Sequence, residues 1–85
     1  MKTYRFPTTL NADVIQARIA QVAAEKGVQV TTAGNAGTAH GHGFVAEYEI
    51  GDGVIVLRVT QKPFLVPWFA VDAGVAELYK ELGST

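Results

Sequence analysis

The chain contains no cysteine, one methionine, three prolines and only 18% charged residues. Without cysteine neither a disulfide framework nor a thiolate metal site can form, and nothing asks for an oxidising compartment; the cytoplasm is the expected location. Charge of neither sign accumulates, since seven Lys and Arg stand against eight Asp and Glu for a formal net charge of −1. That leaves no electrostatic footprint for nucleic acid or an anionic membrane, and nucleic-acid binding is not expected. No apolar run approaches the ~20 residues needed to cross a bilayer, so no transmembrane segment is expected, and residues 1–7 lack the uninterrupted apolar stretch of a signal peptide. There is no G-x-S-x-G elbow, no P-loop and no G-x-G-x-x-G after a strand, so no catalytic residue and no cofactor can be assigned.

What is present is apolar material, 48% of 85 residues, enough for one domain over 1–85 to build a core without staples. Residues 2–6 alternate, with Tyr4 and Phe6 on one side, and read as a short strand ended by Pro7. Asn11 is a suitable N-cap and Gly27 a left-handed stop, which predicts a helix over Ala12 to Lys26 with Ile15, Ile19, Val22 and Ala23 on its apolar stripe. Val28, Val30 and Thr32 alternate on a second strand. Asn35-Ala36-Gly37 then suits a three-residue loop with glycine at positive φ, and one long third strand follows, presenting His40, His42, Phe44, Ala46, Tyr48 and Ile50 inward.

Asp52-Gly53 is a strong two-residue hairpin signal. Counting outward pairs Ile50 with Ile55, Tyr48 with Leu57 and Ala46 with Val59 on the apolar face, while Glu47 lands opposite Arg58 on the other. Pro63 and Pro67 bracket an extended connection, and Pro67 can open a last helix carrying Trp68, Val71, Val75, Leu78, Tyr79 and Leu82 on one side, with Gly83 ending the run. Gly74 inside that helix suggests a close backbone approach. The expected fold is therefore α+β, a two-layer β-α-β-β-β-α domain whose four-stranded, mostly antiparallel sheet has both helices on one face. The first strand flanks either the second strand or the last. The uncovered face, polar at its centre and apolar near the hairpin tip, allows a homodimer through it.

Two places could carry function. His40 and His42, two apart on one strand, have the spacing to share a metal ion, and a small ligand- or metal-binding protein, enzymatic or not, could be centred on them. The nearest carboxylates, Glu47 and Glu49, fall on the opposite face in this register and read as a solvated surface facing Arg58. The second place is the cluster Phe64, Leu65, Val66, Trp68 and Phe69. Trp68 lies on the inward stripe, but Phe69 sits about 100° further round the helix and cannot follow it. Either the segment folds back as a lid over the sheet edge, or it exposes an apolar patch for self-association, a protein partner or the surface of a lipid-like body.

The run Val59-Thr60-Gln61-Lys62-Pro63-Phe64-Leu65-Val66-Pro67-Trp68, after the Gly51-Asp52-Gly53 hairpin and before an amphipathic helix, resembles the ending of small bacterial proteins of the polyhydroxyalkanoic acid system, the granule-region family. The resemblance covers about the last half of the chain and implies a β-meander closed by a helix, with a role at the apolar surface of storage-polymer granules. It brings no catalytic residues. The family usually has a more basic final helix, whereas residues 75–81 here are near neutral. The leading expectation is a small non-enzymatic binding or assembly module of the bacterial cytoplasm acting through residues 64–69.

Overall fold

The structure, a computed structural model, describes residues 1–83. Its elements are β1 (Lys2–Pro7), α1 (Ala12–Lys26), β2 (Gln29–Ala33), β3 (Ala36–Gly41), β4 (Phe44–Gly51), β5 (Val54–Gln61) and α2 (Trp68–Gly83). The strands form one antiparallel sheet in the order β1-β5-β4-β3-β2. The first strand thus lies against the last, with Tyr4 opposite Leu57 and Phe6 opposite Ile55. No helix among the described residues is long and apolar enough to cross a membrane.

Local chemistry sets the helix ends. The Asn11 side chain accepts the Val14 N–H at 3.0 Å, and Gly27 takes φ 71° while its N–H returns to the carbonyls of Ala23 and Ala24. Both features satisfy backbone groups that a helix end leaves open.

The sheet has five strands rather than the expected four. The chain reverses at His42-Gly43, where both residues have positive φ (54° and 85°), and this splits the expected long third strand into β3 and β4. Two positive φ angles in a two-residue loop define the turn whose twist matches that of flanking antiparallel strands, and histidine enters the left-handed region more readily than most residues. The preceding turn is also tighter than expected. Its residues are Gly34-Asn35, with Gly34 at φ 61°, so Ala36 and Gly37 belong to β3 and pair with Ala33 and Thr32.

These corrections reverse the facing of β3. Its odd residues Gly37, Ala39 and Gly41 lie across from Tyr48, Ala46 and Phe44, whereas His40 lies across from Val45 and Gln29. The expected β4–β5 pairs are observed, Ile50 with Ile55, Tyr48 with Leu57, Ala46 with Val59, and Glu47 with Arg58, whose side chains form an ion pair; beyond Ala46 an irregularity shifts the register, so that Val45 lies across from Gln61. The β4–β5 turn is not the doubly left-handed type, because only Gly53 has positive φ (74°).

The core has two centres. Ile15 of α1, the one side chain among the described residues wholly sealed from solvent, packs with Tyr48, Ile50 and Ile55. Val71 and Val75 of α2 pack with Val59, joined by Tyr4, Phe44, Val66 and Trp68. The predicted α2 stripe is borne out by burial of Val71, Val75 and Leu82. Gly74 is exposed, and a Cβ there would touch nothing within 4 Å, so the expected close approach does not occur.

Candidate functional site

The connection from β5 to α2 is not extended. Pro63 has no N–H to continue the ladder, and the Val66 N–H closes on the Pro63 carbonyl at 3.1 Å, which makes residues 63–66 a β-turn. Proline disfavours helical backbone only in the residue before it, here Lys62 and Val66, so Phe64 and Leu65 were free to form the corner. Turn corners usually hold glycine, asparagine or aspartate. Here they hold a phenylalanine and a leucine that are 92% and 87% exposed.

The base of this turn is fixed from both sides. Pro63 lies against Gly43, where a Cβ would stand 2.9 Å from the proline Cγ, so the β3–β4 turn and the 63–66 turn need glycine at their contact. Val66 and Trp68 fold back against Val59, Val71 and Val75, and the Lys62 ammonium sits 5.4 Å from the centre of the Trp68 ring. The Pro67 carbonyl accepts the N–H groups of Ala70 and Val71 at 3.1 and 3.3 Å and so starts α2. One residue into that helix, Phe69 is 73% exposed. The five residues of the expected patch therefore divide: Val66 and Trp68 are half-buried anchors packed against the core, and Phe64, Leu65 and Phe69 project.

Beside Phe69, α2 is tied to β1. Asp72 accepts from the Lys2 ammonium at 2.7 Å and from the Tyr4 hydroxyl at 2.6 Å. Lys2 first and Tyr4 second hold the Asp72 carboxyl below its ordinary range. Burial, then the hydrogen bond to Asp72, pushes Tyr4 up to about 12.

The two histidines are not brought together as one ligand set. His40 is exposed and faces away from Tyr48 and the core, next to Val45, between the half-buried Ala39 and Gly41 of β3. His42, in the turn, has its Nε2 2.7 Å from the Lys26 carbonyl at the end of α1. That bond pins the β3–β4 turn to the helix terminus. Among the described residues no group of three or more His, Cys, Asp or Glu is placed to hold a metal ion.

A shallow trough on the sheet is bordered by Arg5, Thr31, Thr38, Glu47, Glu49 and Arg58. Its charged centre is neutralised internally by the Glu47–Arg58 pair. No protein-family model matches this sequence, and no curated protein matches it either.

Proposed function

We propose that this chain is a small, non-enzymatic binding module of the bacterial cytoplasm that docks on an apolar surface through Phe64, Leu65 and Phe69. The observation that carries this reading is the rigid presentation of two large apolar side chains at the corners of a β-turn, almost fully in water. A folded protein gains nothing from such a placement, whereas a docked one gains roughly 1.5–3 kcal/mol for each such side chain it buries. In this reading both helices cover the same face of the sheet, and the prolines and the Trp68 anchor hold the turn clear of that layer. Preorganisation of this kind lowers the entropy lost on binding.

The resemblance of residues 59–68 to granule-region proteins supports a storage-polymer body as that surface, and Lys62 at the base of the turn would stay in water beside it. The rival occupants are a protein partner and a second copy of the chain.

The test is a Phe64→Ser/Leu65→Ser/Phe69→Ser variant, followed by co-sedimentation with polyhydroxyalkanoate particles, sedimentation velocity without particles, and thermal unfolding. The fold should survive, because none of the three side chains contributes to the core, and attachment to particles should fall by more than tenfold, equivalent to at least about 1.4 kcal/mol. Unchanged attachment by the folded variant would refute the reading. A loss of dimer mass with attachment untouched would assign the patch to self-association.

A further inference from the structure

An apolar cavity of about 110 Å³, partly open to solvent, lies between α1, α2 and the sheet, bounded by Ile19 and Ala23 of α1, Ala39 and Leu57 of the sheet, and Leu78 and Leu82 of α2. Its origin is visible along β3. The three residues of that strand on the Tyr48 side are Gly37, Ala39 and Gly41, and none has a side chain beyond Cβ. The space over Gly37 is taken by the Tyr48 ring, whose Cζ and hydroxyl lie 2.5 Å from where a Cβ would be. The space at Gly41 is closed by Val28, whose Cα would be 3.2 Å from such a Cβ. Over Ala39 the gap between sheet and helices stays open.

The walls are hydrocarbon. The two hydroxyls that border the void are committed elsewhere, Tyr48 to Gln16 Oε1 at 2.6 Å and Tyr79 to the Pro7 carbonyl at 2.6 Å. Among the described residues no buried side-chain nitrogen or oxygen lacks a partner. A water molecule needs two to four polar partners and these walls offer it none, so water held here is readily displaced by an apolar group; an enclosed apolar cavity of about 150 Å³ takes up benzene or xenon. Ile19, Val22, Leu78 and Tyr79 are only half-buried, which puts the thinnest wall between the two helices.

We propose that this void is a second binding site, separate from the 64–69 patch, for a small uncharged hydrocarbon group of about benzene size. The lining has no donor or acceptor to spare for a charged or strongly polar molecule, so shape and apolarity select the ligand. The missing side chains of β3 make the site. It is therefore a property of the folded core and does not depend on what the exposed turn docks against.

Benzene is the probe. Titrated into the full chain and followed by carbon-13 methyl spectra, it should give saturable shifts at Ile19, Ala39, Leu57 and Leu78 and leave Val54 and Val56 unmoved. At a benzene concentration tenfold above Kd the folding equilibrium constant should rise about 11-fold, seen as an increase in Tm. Ala39→Ile, which places a side chain in the gap, should fold with a Tm at or above that of the parent and lose the benzene response; Ala23→Leu fills the same space from α1. No saturable shift in the unsubstituted protein, shifts confined to Leu65 on the surface, or a full response in a folded filled variant would each overturn the proposal. Should both variants fail to fold, the methyl map of the unsubstituted protein decides alone.

Discussion

Replacing Gly37 with alanine tests the part of the fold that the sequence reading placed wrongly. If Gly37 were the left-handed residue of a three-residue loop, any side chain would strain the backbone there by about 1 kcal/mol, whatever occupied position 48. In the structure Gly37 is a strand residue with ordinary φ, and the penalty comes from elsewhere. The new methyl would fall 2.5 Å from Tyr48 Cζ and 2.6 Å from its Cε2. Tyr48 is only 6% exposed, so its ring has little room to withdraw, and moving it breaks the bond from its hydroxyl to Gln16. Overpacking of this kind costs about 1–3 kcal/mol and the lost hydrogen bond about 1, against about 0.4–1 regained from the smaller entropy of the unfolded alanine chain. The expected net loss is about 1–3.6 kcal/mol, and at 4–8 °C per kcal/mol for a domain of this size the Tm should drop by roughly 4–29 °C.

The discriminating assay is a double-mutant cycle with Tyr48→Leu, read by thermal and urea unfolding. Removing the ring tip should erase most of the cost of Gly37→Ala and give a coupling of at least about 1 kcal/mol, as expected for side chains in direct contact. Equal cost in the two backgrounds would mean that Tyr48 does not lie over Gly37. The β3–β4 register, and with it the explanation of the cavity, would then fail.

The contrast between the two halves of the sheet explains what was legible. Residues 44–61 carry strong signals on both faces: Tyr48, Ile50, Ile55, Leu57 and Val59 must point one way, and Glu47 and Arg58 the other. A slip of one residue would invert all of them at once, so the register could be read directly. The 34–43 stretch has no comparable constraint. Ala36, Gly37, Thr38, Ala39, His40 and Gly41 include no large apolar side chain, and a strand of small residues pairs equally well in either facing. Its second turn is disguised too, since His40 and His42 read as a ligand pair on one continuous strand, and only the positive φ of His42 and Gly43 reveals a reversal. The same poverty of side chains that leaves β3 without a sequence signal creates the cavity, so neither is announced by hydrophobic periodicity.

The patch was legible in part for a similar reason. Phe69 follows Trp68 on a helix, and simple rotation put it outside the buried stripe. The fates of Phe64 and Leu65 depended on the hydrogen bond between Val66 and Pro63, which no side-chain periodicity announces. A proline three residues before another hydrophobic residue was the available signal, and the second proline drew the reading toward extended chain.

Two further outcomes follow from the surface and the β1–α2 contact. Gly74→Ala should stabilise the protein by about 0.5–1 kcal/mol, because the position is helical, exposed and free of neighbours within 4 Å of the new Cβ; a lower Tm in thermal unfolding would mean that α2 is packed more closely on that side. The contact of Tyr4 with Asp72 should shape the alkaline limb of stability. Burial and the neighbouring carboxylate raise the tyrosine pKa from 10.0 to about 12, so the folded protein keeps a proton that the unfolded chain gives up. Its contribution is thus complete below pH 10 and is lost as pH rises from 10 toward 12. Asp72 acts with the opposite sign: its lowered pKa lends stability above about pH 4 that drains away as pH falls through the folded-state value. Tyr48, raised by burial, also titrates at high pH, so the measurement must be a difference. Urea midpoints of the unsubstituted protein and of Tyr4→Phe, compared from pH 8 to 12, should converge as the pH rises, because the variant has no hydroxyl to ionise at that position. Parallel curves would show that Tyr4 ionises as freely in the fold as out of it, and that its hydroxyl does not bind Asp72.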